Sequence, residues 1–173
     1  GLDPAQVLAA LRSNDEHEAY RQIGIVDRAG RAAAYTGDAV KPEHAHLVGD
    51  GFVVMGNNVR AAAVVDAMAG AYRQGGDLPI EERLLRAVEA GRDAGGGNRG
   101  QLSAGLVTAE PGADRPRVDL RVDMTAAPDG DAVAELRRVF DAYHPLTDYY
   151  HRYWPDHPET TTAEWLSRHR RTP

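Results

Sequence analysis

The sequence predicts an α+β fold, and three observations carry that expectation. RQIGIVD (21–27) and RAAAYT (31–36) are strand-like and flank the turn-forming RAG; the apolar run GFVVMG (51–56) is followed by two segments of helical periodicity; and RVDLRVD (117–123) alternates charged and apolar residues one for one. Strands and helices therefore occur in separate runs, with tight turns between strands.

Taken in chain order, Asp3 is placed to cap a helix with Pro4 in its first turn and Gln6 completing a capping box, and Val7, Leu8 and Leu11 form its apolar stripe. The hairpin of residues 21–36 follows. Residues 36–50 hold Gly, Pro and charges without a period and read as a loop, and GFVVMG reads as a strand at the centre of a sheet. Val64, Val65, Met68 and Tyr72 recur at helical spacing. A second helix follows Asp77 and Pro79, with Ile80, Leu84 and Val88 on one face. QLSAGLVTA (101–109) and RVDLRVD form two further strands. In the latter, Val118, Leu120 and Val122 share the buried face. A last helix over 131–141 carries Val133, Leu136 and Phe140, and the tail offers a short helix capped within TTTAEWL. The organisation expected is a domain over 1–143 and an aromatic-rich tail over 144–173.

Bulk composition narrows the function. The 173 residues are 42% hydrophobic, enough for one ordinary core, and the net charge of −6 gives no electrostatic reason to expect nucleic acid or an anionic membrane as partner. Absence of cysteine excludes disulfides, thiolate metal sites and cysteine nucleophiles from these residues. No apolar run is long enough for a membrane span and the first residues lack signal-peptide features, so a cytoplasmic location is expected. The start at Gly1 suggests a fragment or a cleaved product.

Several stretches invite a chemical reading. GGGNRG (95–100) satisfies G-x-G-x-x-G, yet a helix precedes it and a strand follows, the reverse of the dinucleotide-binding order, and no lysine stands where a P-loop needs one. Ser103 lies inside a predicted strand, without the G-x-S-x-G turn of a nucleophile elbow. Ser103, Ala104 and Gly105 read instead as small residues that let another layer approach. His44 and His46, with Glu43 and Asp50 nearby, are two residues apart, but no third ligand is fixed by spacing, so neither a metal nor another cofactor is expected. The charged face of RVDLRVD reads as a solvated one. Asn57, in Gly56-Asn57-Asn58 at a strand-to-helix junction, is better placed: such a junction can hold an oxyanion or a carbonyl oxygen, although asparagine is also an ordinary helix cap.

Read together, RQIGIVDRAGRAAAYTG, GFVVMGNN, the helix pair, GGGNRGQLSAGLV, RVDLRVD and VAELRRVFDAY resemble the domain-of-unknown-function family 1028, over about residues 1–143. The family is regarded as N-terminal-nucleophile-hydrolase-like. The resemblance implies a four-layer αββα sandwich, incomplete here at its N-terminus. In that superfamily the first residue attacks with its hydroxyl or thiol and its own α-amino group serves as base; the reference pKa of such an amine, about 7.7–8.0, suits the task. Gly1 offers an amine without a nucleophile, so the resemblance implies a missing N-terminal segment or a companion chain. Gln22, Asn57, Arg99, Gln101 and Ser103 lie in the matching blocks and are polar where packing alone would favour apolar residues. They are the expected site: Asn57 as oxyanion donor, Arg99 for a substrate carboxylate, Gln22, Gln101 and Ser103 as substrate-binding groups. The function expected is the large portion of a hydrolase acting on a small amide or cyclic amide, working as a homo-oligomer. The alternative is a non-catalytic binding or assembly protein that keeps the sandwich and associates through its aromatic tail.

Overall fold

The computed structural model describes residues 1–125 and 130–169 and opens on the expected cap. The Asp3 carboxylate accepts from the Ala5 N–H at 2.9 Å and Gln6 Oε1 accepts from the Asp3 N–H at 3.2 Å, which starts helix α1 (Pro4–Ser13). Leu8 of its stripe is buried, whereas Leu11 is exposed, so the apolar face is narrower than the spacing suggests.

Strands β1 (Gln22–Val26) and β2 (Ala32–Thr36) pair antiparallel from Gln22↔Thr36 to Val26↔Ala32. The turn holds because Asp27 Oδ1 accepts from the Ala29 and Arg31 N–H groups, both at 2.9 Å, and Gly30 takes φ +81°. The segment expected as a loop over 36–50 contains a strand, β3 (His44–Gly49), paired antiparallel with β4 (Phe52–Asn57) from His44↔Asn57 to Gly49↔Phe52. HAHLVG is too mixed to show a strand period by itself, and its partner supplies the missing stabilisation. Among the described residues β4 pairs with β3 alone, so GFVVMG is not central within a sheet. One of its faces is buried and the other is partly covered. Phe52 and Val54 point into a core with Val65, Ala69, Tyr72 and Ala87, while Val53 and Met55 face β1, where a Cβ on Gly24 would lie 2.9 Å from Val53 Cγ1.

Helices α2 (Ala63–Gln74) and α3 (Ile80–Asp93) are the expected pair, but the buried side of α3 carries Leu85 and Ala87, while Ile80 of the expected face is exposed. Up to Gln101 the chain forms one compact unit. In it α1 packs on β1 and β2, β1 lies against β4 and β2 against β3, α2 covers β3 and β4, and α3 packs on α2.

A second compact unit begins at Leu102. Strands β5 (Ala104–Thr108) and β6 (Val118–Val122) pair antiparallel, with Val118 and Leu120 buried as the alternation requires. Ser103 lies just before β5, not within it. Helix α4 (Ala132–Tyr143) is capped by Asp131 Oδ1, which accepts from Val133 and Ala134 N–H, and it buries Val133, Leu136 and Phe140. It packs on β5 and β6. After a 3-10 turn at His144–Leu146 and a π turn at Tyr149–Tyr153, helix α5 (Thr162–His169) starts with a capping box between Thr161 and Glu164. The tail folds onto itself: Tyr149 and Tyr153 meet the Trp165 ring at 5.8 and 4.9 Å, Tyr149 Oη donates to the Thr160 carbonyl at 2.5 Å, and Trp165 Nε1 donates to that of Pro145. Burial raises the Tyr149 phenol above its ordinary value and keeps it a donor. Among the described residues no helix is long and apolar enough to cross a membrane.

Leu85 of α3 is 1% exposed, against 70% for Leu2. In urea unfolding, Leu85→Ala is expected to remove about 2–5 kcal/mol of stability, and Leu2→Ala less than about 0.5 kcal/mol.

Candidate functional site

At one end of the first unit, the turns of the two hairpins are joined by Gly51 N–H donating to the Gly30 carbonyl at 3.0 Å. The opposite end carries the polar side chains. Gln22 begins β1 there, opposite Thr36, which ends β2; His44 begins β3, opposite Asn57, which ends β4. Alternation along each strand turns Gln22, Gly24, Ala34 and Thr36 to the same side, and His46, Met55 and Asn57 to one side of the other hairpin. Contact between Gly24 and the Val53 and Met55 side chains shows that these faces meet.

Four side chains, one from each strand, are linked there by hydrogen bonds. Asn57 Nδ2 donates to Gln22 Oε1 at 3.1 Å, Gln22 Nε2 donates to Thr36 Oγ1 at 3.2 Å, and Thr36 Oγ1 lies 2.8 Å from His46 Nδ1. Gln22 Nε2 also reaches the carbonyl oxygens of Ala45 and Gly56, a directly opposed pair on β3 and β4, at 3.1 Å each. The half-buried Gln22 amide is thus saturated on its nitrogen side and held by Asn57 on its oxygen side. Asn57 and His46 are exposed. Among the described residues Asn57 uses only one N–H of its amide, so the other is open to an acceptor from solvent or substrate.

The glycine-rich stretch is stitched to the chain just beyond Asn57. Asn98 N–H donates to the Asn58 carbonyl at 3.0 Å, Asn98 Nδ2 to that of Val59 at 3.0 Å, and Arg60 N–H to that of Gly96 at 3.0 Å; Val59 and Gly97 form an isolated bridge. Asn58 turns the corner at φ +53°, a conformation asparagine tolerates better than most residues. Arg99 is exposed in this loop, and the Gln101 amide packs over Gly96, where a Cβ would collide with it. The loop is therefore a turn pinned beside the end of β4, whereas Ser103 and Gly105, expected to let another layer approach, are exposed. Gln22 and Asn57 are brought into direct contact, with Arg99 and Gln101 in the loop stitched to residues 58–60. Ser103 belongs to the second unit, where its Oγ accepts from the Met124 N–H at 3.2 Å.

Thr36 and His46 in its hydrogen-bonding role are the residues that sequence reasoning missed. Thr36 was within reach, since the RAG turn sets Gln22 opposite it. The pairing of His46 with Thr36 requires knowing that two hairpins stack. Among the described residues no group of three or more His, Cys, Asp or Glu side chains is placed to hold a metal ion, and His44 Nδ1 lies against the Lys41 carbonyl at 3.2 Å.

In the second unit, Glu110 lies 2.6 Å from Arg152 and 3.1 Å from Arg117, and Arg117 also reaches Asp148 at 3.1 Å. Glu110, Arg117 and Arg152 border a cavity of about 220 Å³. The Arg152 guanidinium first, and Arg117 after it, hold the Glu110 carboxyl below its ordinary value. The charges compensate one another in place.

A family model described as a family of unknown function, DUF1028, matches residues 1–132. Among solved structures, the crystal structure of protein SPO2555 from Silicibacter pomeroyi, assigned to the same family, is similar with a TM-score of 0.71 and 29% sequence identity. The likeness covers 83% of this chain and 61% of that one, so this chain spans 61% of the length of the protein it matches. No curated protein matches.

Replacing Gln22 by Met keeps its length and removes its hydrogen bonds to Asn57, Thr36 and the Ala45 and Gly56 carbonyls; a loss of about 0.5–1.5 kcal/mol in urea unfolding is expected. Glu110 has a folded pKa below its unfolded value, so its contribution to stability is present at higher pH and is lost as pH falls through the folded value. Glu110→Gln is expected to flatten the loss of stability below pH 4.5, the ordinary value, and to leave the slope above neutrality unchanged.

Proposed function

Since the chain belongs to the DUF1028 family of unknown function, we propose that it is the large portion of an N-terminal-nucleophile-type hydrolase acting on a small amide or cyclic amide. The observation that carries this reading is the four-strand network ending at the exposed Asn57 amide. An oxyanion that forms on a substrate carbonyl needs a donor held in place before the reaction, and Asn57 is oriented by Gln22, which is itself immobilised on two backbone carbonyls. The packing order α1, β1/β2, β3/β4, α2 supports the αββα layering of that hydrolase type.

In this reading the attacking hydroxyl or thiol, with its α-amino group as base, comes from a residue outside residues 1–173. Arg99 serves a substrate carboxylate, and Gln101 holds the glycine loop in shape. The hydrogen bond of Ser103 to Met124 favours a packing role for that serine.

A second reading, a binding or assembly protein, draws on the open groove of about 550 Å³ beside α4, bordered by Val139, Tyr143, Leu146 and Tyr150. Kinetics separate the two. With a panel of amides and lactams and the full-length protein, Asn57→Ala is expected to lower kcat about 10²–10³-fold with little change in KM. A hydroxyl-reactive covalent probe should leave its adduct outside residues 1–173. Absence of turnover across the panel favours the binding protein, and an adduct on Ser103 overturns the assignment of the nucleophile.

A further inference from the structure

We infer that Thr36 locks His46 in the tautomer that carries its proton on Nε2, and that this N–H is a second fixed donor of the site, taking an acceptor oxygen of the substrate such as a lactam carbonyl. The inference rests on the reading of the site as one for small amides; the tautomer itself does not.

The direction of the hydrogen-bond chain is set by its one-way members. An amide nitrogen only donates and an amide oxygen only accepts, so Asn57 donates to Gln22 Oε1, and Gln22 Nε2 donates to Thr36 Oγ1. Thr36 Oγ1 accepts there with one of its two lone pairs and keeps a hydroxyl hydrogen to give, and His46 Nδ1, 2.8 Å away, is the acceptor to which the proposal assigns it. Donation all along the chain lets each bond polarise the next in the same sense. A neutral imidazole that accepts at Nδ1 carries its hydrogen on Nε2. That atom has no partner among the described residues, on a side chain that is exposed.

The chain therefore presents an N–H at each end, from Asn57 and from His46. In the register of β3 and β4, His46 opposes Met55 and is the diagonal neighbour of Asn57. Such diagonal pairs lie about 7–8 Å apart on one face, within the span of a small ligand that has two acceptor oxygens. A cyclic imide or a lactam with a second carbonyl offers two acceptor oxygens to such a pair of donors, where a simple alkyl amide offers one. A neutral imidazole donor polarises a carbonyl without entering a proton transfer, so no bond is made or broken at His46.

The test is a nitrogen-15 measurement of the His46 ring in the full-length protein. The expected result is a protonated Nε2 and an accepting Nδ1, retained in Thr36→Ser and lost to a mixture of tautomers in Thr36→Val. Titration with succinimide is expected to shift the Nε2 resonance of the wild type, and to shift it several-fold less in Thr36→Val at equal concentration. An Nδ1-protonated ring in the wild type overturns the inference whether or not the protein hydrolyses amides. A correct tautomer with no response to succinimide overturns the donor role and leaves the proposed hydrolysis to be judged by the Asn57 kinetics. His46→Gln, which keeps an N–H donor, should retain more of the turnover than His46→Ala; equal losses count against the donor role.

Discussion

The first unit depends on how one amide, that of Gln22, joins two hairpins that share no backbone ladder. Sheets of two strands are marginal by themselves and gain stability by burying a face. Here the faces meet over small residues, Gly24 with Ala32 and Ala34 on one side and Val53 and Met55 on the other, which permits a close approach. Apolar contact alone does not specify register. Gln22 does so by bonding to the carbonyls of one opposed pair, Ala45 and Gly56, and to a side chain on each of β2 and β4. A slip of one residue would turn this amide away from all four partners.

The same constraint separates the two ends of the stacked hairpins. At the turn end, bonding is between backbones, Gly51 to Gly30, and leaves little chemistry. At the other end the strands finish in Gln22, Thr36 and Asn57, with His46 two residues into β3, and the glycine loop is tied to Asn58, Val59 and Arg60 beside them. Rigid backbone on every side means that the amide and hydroxyl groups are oriented before any ligand arrives, the condition under which a donor contributes to catalysis or recognition. The loop supplies shape through its glycines, and its contacts to residues 58–60 are mainly through backbone.

The second unit follows a different economy. Its hairpin is covered on the α4 side by Val133, Leu136 and Phe140, and its tail satisfies its aromatic residues internally, with Trp165 between Tyr149, Tyr153 and His169. Polar atoms of those rings find carbonyls of Pro145 and Thr160, so the tail is a folded element in its own right.

What the sequence by itself determined is local. The Asp3 cap with Gln6, the RAG turn, the helical periods of α2 and α3, the alternation of β6 and the Thr161 cap of α5 each arise from residues a few positions apart, and each stands where that chemistry puts it. Strand β3 is not legible in the sequence: Asp50-Gly51 before Phe52 is a hairpin signal, but HAHLVG has no clear period to carry a strand back from that turn. Gln22 and Asn57 were legible as polar residues in the right blocks, and their 3.1 Å contact was not. Thr36 and His46 escaped notice for the same reason: the hydrogen bonds that define the site run between hairpins, over 10 to 35 positions of sequence. Only the stacking of one hairpin on the other decides which polar side chains meet, since it alone brings strand ends so far apart in sequence within hydrogen-bonding distance.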